Sequence, residues 1–125
     1  MIAKRYFAVL ALGVPERELR ILNTTFLISQ GRASTYALAA EPPQGDPDIV
    51  VVDGESDEAL AAWALSGHRY VTPTLFLGKE DASCARSAVV PRPLLPTRIL
   101  AALDDLARGF GKVAPERLRR PPGST

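Results

Sequence analysis

Short apolar runs alternate with apolar stripes of helical spacing along this chain. Tyr6 to Leu12 (YFAVLAL), bounded by Lys4-Arg5 and Gly13, has the length and flanks of a strand buried on both faces. Pro15 then suits the first turn of a helix, where its missing N–H costs no hydrogen bond. Behind it Leu19, Leu22, Phe26 and Leu27 recur at helical spacing. Charges at Glu16, Arg17, Glu18 and Arg20 mark the start of that helix, and Gly31 supplies its stop.

Ser34 to Ala40 (STYALAA) predicts a second strand, weaker in pattern than the first. The segment EPPQGDP from Glu41 to Pro47 breaks both helix and strand with its three prolines and a glycine. Asp48-Ile-Val-Val-Val-Asp53 is the clearest strand, β-branched throughout and bracketed by acids. Ser56, followed by Asp57 and Glu58, predicts a helix N-terminus. Leu60, Trp63 and Ala64 form the inner stripe of that helix, and Gly67 ends it. Val71 to Leu77 (VTPTLFL) and Ser87 to Val90 (SAVV) predict a fourth and a fifth strand. Pro96 opens a last helix with Ile99, Leu100, Leu103 and Leu106 on one face and Asp104, Asp105 and Arg108 on the other.

Five buried-type strands separated by helices or connectors predict an α/β fold: a doubly wound, five-stranded parallel sheet with right-handed crossovers. A ligand site in such a sheet lies beyond the carboxyl ends of the strands, near a switch point. Leu12-Gly13, Asp53, Gly78-Lys79 and Arg92-Pro93 stand at those ends.

Composition narrows the function classes. A length of 125 residues suits one domain, and an apolar fraction of 46% is enough for a folded core. Its boundaries are drawn at residues 1–109, with 110–125 as a basic, proline-rich linker or tail. From Arg108 onward there are five Lys/Arg residues and one acid, Glu116, which reads as a solvated linker rather than a nucleic-acid arm. The net charge of +1 arises from mixed signs and gives no whole-domain field for nucleic acid or membrane. Neither a membrane-length apolar run nor a signal-peptide pattern is visible, because Gly13, Pro15 and Glu16 break the first apolar stretch. With Cys84 the lone cysteine, no disulfide framework is expected, which suits a cytoplasmic protein.

The order of these signals resembles the receiver domain of bacterial response regulators. Pro47-Asp48-Ile-Val-Val-Val-Asp53 is similar to the family's third strand, which ends in the phosphoacceptor aspartate. Thr72-Pro73-Thr-Leu-Phe-Leu77 matches the proline-initiated fourth strand, and Ala88-Val-Val-Pro-Arg92-Pro93 the fifth strand with its lysine–proline pair. The resemblance covers roughly residues 4 to 108 and implies a flavodoxin-like, receiver-like fold. It also implies a cis Arg92–Pro93 bond, a form that X–Pro bonds tolerate.

The departures from that family decide the expected function. Its first strand ends in an acidic pair that holds Mg²⁺ with the phosphoacceptor; Leu12 and Gly13 stand there. Mg²⁺ needs hard oxygen ligands, and phosphoryl transfer to a carboxylate needs the metal to offset like charges. Gly78 replaces the hydroxyl residue of the fourth strand. Arg92 replaces the lysine, keeping its charge with another donor geometry. EPPQGDP and the short segment from Gly78 to Arg86 leave the second and fourth helices shortened or missing, and with them the family's switching face.

The resemblance therefore implies a degenerate receiver: a non-enzymatic signalling module without a cofactor, acting by phosphorylation-independent protein–protein contact or dimerisation. An output domain is expected to follow its basic tail. An alternative is a sensor of a small molecule or cation in the crevice at Asp53 and Arg92; another is a residual phosphoacceptor at Asp53. Asp53 itself has two readings, phosphoacceptor or ion-pair partner of Arg92, and the second is favoured. Glu55, Asp57, Glu80 and Asp81 share the same rim as candidate cation ligands. His68 reads as a surface residue, Trp63 as core or interface, and Cys84 as an inert thiol. No glycine-rich phosphate loop, serine nucleophile elbow or zinc spacing is present.

Overall fold

The computed structural model describes residues 5–39, 46–67, 71–80 and 86–119, the last of these from 109 onward for its backbone only. The elements run β1 (Arg5–Leu12), α1 (Glu16–Ser29), β2 (Ser34–Leu38), β3 (Ile49–Asp53), α2 (Asp57–Leu65), β4 (Thr74–Leu77), β5 (Ser87–Val90) and α3 (Pro96–Arg119). All strand pairs are parallel, and the sheet order is β2-β1-β3-β4-β5. This is the predicted α/β sheet, consistent with a flavodoxin-like fold that carries fewer helices. The chain leaves β1 outward to β2 and returns past it to β3, so the switch point lies between the carboxyl ends of β1 and β3.

Local chemistry explains where the helices begin. Pro15 is the N-cap of α1, and its carbonyl accepts from the N–H groups of Glu18 and Leu19, both at 2.9 Å. Glu16 and Glu18 place negative charge in that first turn, where the helix dipole favours it. Ser56 caps α2 by accepting from the Ala59 N–H at 3.1 Å.

Side chains alternate across the sheet and build two unequal layers. Phe7, Val9, Tyr36, Ile49, Val51, Leu75, Leu77 and Val90 meet Leu22 and Phe26 of α1 and Ile99, Leu103 and Leu106 of α3. On the opposite face Leu10, Val50, Val52 and Phe76 meet Ala59 and Trp63 of α2 alone. Trp63 is core: its ring packs edge-on to Phe76, and its Nε1 donates to Thr74 Oγ1 at 3.2 Å. Among the described residues no helix lies between β2 and β3 or between β4 and β5. The outer columns of this second face stay open, with Tyr6 71% and Val89 40% exposed.

Boundaries differ from expectation by one residue at the starts of β1 and β3, and by more in three other elements. β2 ends at Leu38 and β4 begins at Thr74, because the Pro73 carbonyl only starts the ladder by accepting from Val50 N–H. The backbone of α3 continues through Gly109 to Arg119, so the segment expected as linker begins as helix. A glycine costs a helix only about 1 kcal/mol relative to alanine, which lowers its stability without forcing a stop. No helix of the described chain is long and apolar enough to cross a membrane.

A polar tie closes the first layer. Tyr36, fully buried, donates its hydroxyl to Asp104 Oδ1 at 2.6 Å, and Arg32 holds Asp104 Oδ2 at 2.6 Å. Burial and then the Asp104 carboxylate push the Tyr36 pKa well above its ordinary value. In the unfolded chain this phenol ionises near pH 10, while the folded state keeps its proton. The folded state therefore binds more protons above that pH, and stability should fall as pH rises from about 10 toward the folded value. Urea midpoints of wild type and Tyr36→Phe should run parallel from neutral pH to about pH 9 and converge as pH rises from about 10 to 12. A constant gap across that window would remove Tyr36 as the source.

Candidate functional site

The crevice expected at the carboxyl ends of the strands is occupied by the protein itself. Arg92, at the end of β5 and followed by a cis bond to Pro93, reaches back across β4 to β3 and α1. Its Nε and Nη2 make a two-pronged contact with Glu18 Oε2 and Oε1, both at 2.7 Å. Nη2 also lies 2.9 Å from Asp53 Oδ1, and Nη1 donates to Glu55 Oε1 at 2.5 Å. One guanidinium thus stands among three carboxylates. Hydrogen bonding to Glu18 above all, and then to Asp53 and Glu55, outweighs desolvation and holds the Arg92 pKa far above its ordinary value. Arg92 is a permanent cation here, which the arginine fork suits better than a lysine ammonium would.

Asp53 is fixed from two sides. The Glu55 N–H donates to Asp53 Oδ1 at 3.0 Å, closing a turn over the strand end. Its side chain is 11% exposed and Glu18 is 13% exposed, whereas Glu55 at 55% forms the solvent edge of the cluster. Asp53 is thus an ion-pair partner of Arg92.

The remaining receiver-site positions are filled by packing. Leu12 lies against the Trp63 layer. Gly13 has φ +66°, and a Cβ there would come within 2.9 Å of the Ala59 Cα, so α2 sits directly on the β1–α1 turn. At Gly78, φ is +86°, and a Cβ would come 2.7 Å from the Glu55 Cδ and 2.8 Å from Arg92 Nη1. The absence of a side chain at Gly78 makes room for the Arg92–Glu55 contact. Gly78 and Arg92 are therefore linked features of one filled crevice, while Gly13 is covered by Ala59 of α2.

The alternative cation site at the rim is not assembled. Glu55 turns to Arg92, Asp57 opens α2, and Glu80 accepts from Ser87 Oγ at 2.5 Å. Asp81, like His68 and Cys84, lies outside the described residues. Among the described residues no group of three or more His, Cys, Asp or Glu side chains is arranged to hold a metal ion. Glu18 is the partner that sequence reasoning missed. It stands 74 residues from Arg92, and its only signal was an acid on the first turn after the first strand.

No protein-family model, curated protein or solved structure matches this chain. The receiver resemblance thus rests on the residues quoted for it and on the strand order.

Proposed function

We propose that this domain is a degenerate receiver: a non-catalytic signalling module whose phosphoacceptor crevice is wired shut and whose output is contact with a protein partner or a second copy of itself. The observation that supports this most is the Arg92 cluster. Four guanidinium contacts to Glu18, Asp53 and Glu55 stand where a phosphoryl group and its metal would need space and open oxygen ligands. An incoming phosphoryl group would meet three carboxylates with one cation already engaged by them, a repulsion in a partly desolvated site. The same geometry weighs against sensing of an anion in this crevice. The open columns of the second sheet face, with Tyr6 and Val89, supply apolar contact area for a partner.

A two-dimensional amide titration with Mg²⁺, then Mg²⁺ with beryllofluoride, tests the reading. The amides of Asp53, Gly78 and Arg92 should not move. Saturable shifts at those three would restore a working phosphoreceiver and overturn the proposal. Lys substitutions at Tyr6 and Val89 should, in parallel, abolish any concentration-dependent association seen by sedimentation.

A further inference from the structure

At the opposite end of the sheet, where β1 and β2 begin, a second cluster has the reverse charge balance. Arg5, Arg32 and Arg108 converge with Asp104 around a pocket of about 270 Å³, whose floor is Ala33, Ser34 and Ala107. The sheet register brings Arg5 beside Ser34, and the Arg5 N–H donates to the Ala33 carbonyl at 2.7 Å, fixing the turn that carries Arg32. From the side, α3 delivers Asp104, Ala107 and Arg108.

Both oxygens of Asp104 are already engaged, one by Tyr36 and one by Arg32. Asp104 thus accounts for Arg32 and leaves two guanidinium groups without a buried counter-ion. Arg5 lies over the Phe7 ring with its carbon 5.1 Å from the centroid, and its Nη2 makes only a long 3.4 Å contact to the Ala107 carbonyl. Arg108 pairs with Asp105 on the helix surface, where both side chains are more than half exposed. A solvent-exposed pair of this kind holds its partners weakly, so Arg108 can exchange Asp105 for another anion. A structural role explains Arg32 but not the convergence of the other two.

We infer that this pocket binds a small soluble phosphate-bearing ligand, a phosphate ester or diphosphate, with Arg5 and Arg108 gripping its oxygens and Asp104 positioning Arg32 beside them. Planar guanidinium forks match oxyanions in pairs, which disfavours a halide, and two converging cations favour a multiply charged phosphate over a monocarboxylate. The volume lies at the small end of ligand sites, suiting one or two phosphoryl groups rather than a large organic body. The site is separate from the Arg92 crevice, so its standing does not depend on the receiver reading.

The test is an amide NMR titration of the full chain with inorganic pyrophosphate, against sodium chloride at matched ionic strength. Saturable shifts are expected at Arg5, Ser34 and Ala107 with pyrophosphate only. Arg5→Gln and Arg108→Gln should each weaken the apparent affinity about tenfold, the scale of one lost charge-assisted contact, while Arg20→Gln on α1 leaves it unchanged. Both altered arginines are exposed, so the variants should keep the wild-type spectrum elsewhere. Arg108→Lys, which keeps the charge and loses the fork, should fall between. Shifts that never saturate, that chloride reproduces, or that survive both Gln substitutions would overturn the inference.

Discussion

Arg92→Met is expected to destabilise the domain by about 2–4 kcal/mol, lowering its melting temperature by roughly 10–15 °C. The loss comes less from the missing bonds than from what remains: Glu18, Asp53 and Glu55 would face one another without a cation. Arg92 is 27% exposed, so water screens part of that repulsion and shifts the cost down from the roughly 3–5 kcal/mol typical of a fully buried broken pair. Adding Glu18→Gln and Asp53→Asn to Arg92→Met should return stability toward wild type, because the stranded charges are then gone. Comparing the single variant with the triple variant by urea denaturation reads this directly. A cost under about 0.5 kcal/mol for Arg92→Met would reduce the cluster to an ordinary surface pair.

Gly13→Ala is expected to cost about 2–5 kcal/mol, from two additive sources. A left-handed backbone angle costs an L-residue about 1–2 kcal/mol, and forcing a methyl group into a filled contact costs about 1–3 kcal/mol more. The second source is Ala59, whose backbone cannot yield without displacing the capped first turn of α2. Ala59→Gly should therefore recover part of the loss and leave the backbone share behind. If Gly13→Ala is neutral by thermal unfolding, the close seating of α2 on that turn is wrong. The same packing bears on building a receiver-like site here. An aspartate at Gly13 would meet Ala59 before it met a metal, and a threonine at Gly78 would push into Glu55 and Arg92. Either substitution alone should destabilise the fold without creating phosphorylation chemistry.

Most of the architecture was legible because its signals are local. IVVVD is β-branched and bracketed by acids, Pro15 and Ser56 mark helix starts, and the amphipathic stripe after Pro96 needs no partner to be seen. The Asp53–Arg92 pair was also within reach, since both residues stand at strand ends that a parallel sheet brings together. Glu18 was not, because nothing in a helix's first turn says which strand end it will face. Nor did the pattern mark Tyr36 and Asp104 as partners, one read as a strand residue and the other as part of a polar helix face. The run of α3 past Gly109 escaped for the opposite reason: the glycines and basic residues after Arg108 read as a linker, although a single glycine only weakens a helix.

The bracketing acids of β3 serve the chain before it folds as well as after. Every residue from Ile49 to Asp53 is buried in the centre of the sheet, and no pairing in an all-parallel sheet forms by a simple hairpin. This strand must wait for β1 and β4, and in that interval IVVV is the segment best suited to pair with another chain. Asp48 and Asp53 put a negative charge at each end of it, the arrangement that keeps apolar strands from stacking into aggregates. Once the sheet closes, Asp48 takes the Ala8 N–H at 2.8 Å and Asp53 takes Arg92. Neutralising both, as Asp48→Asn with Asp53→Asn, would leave a fold that still closes but a nascent chain with its guards removed.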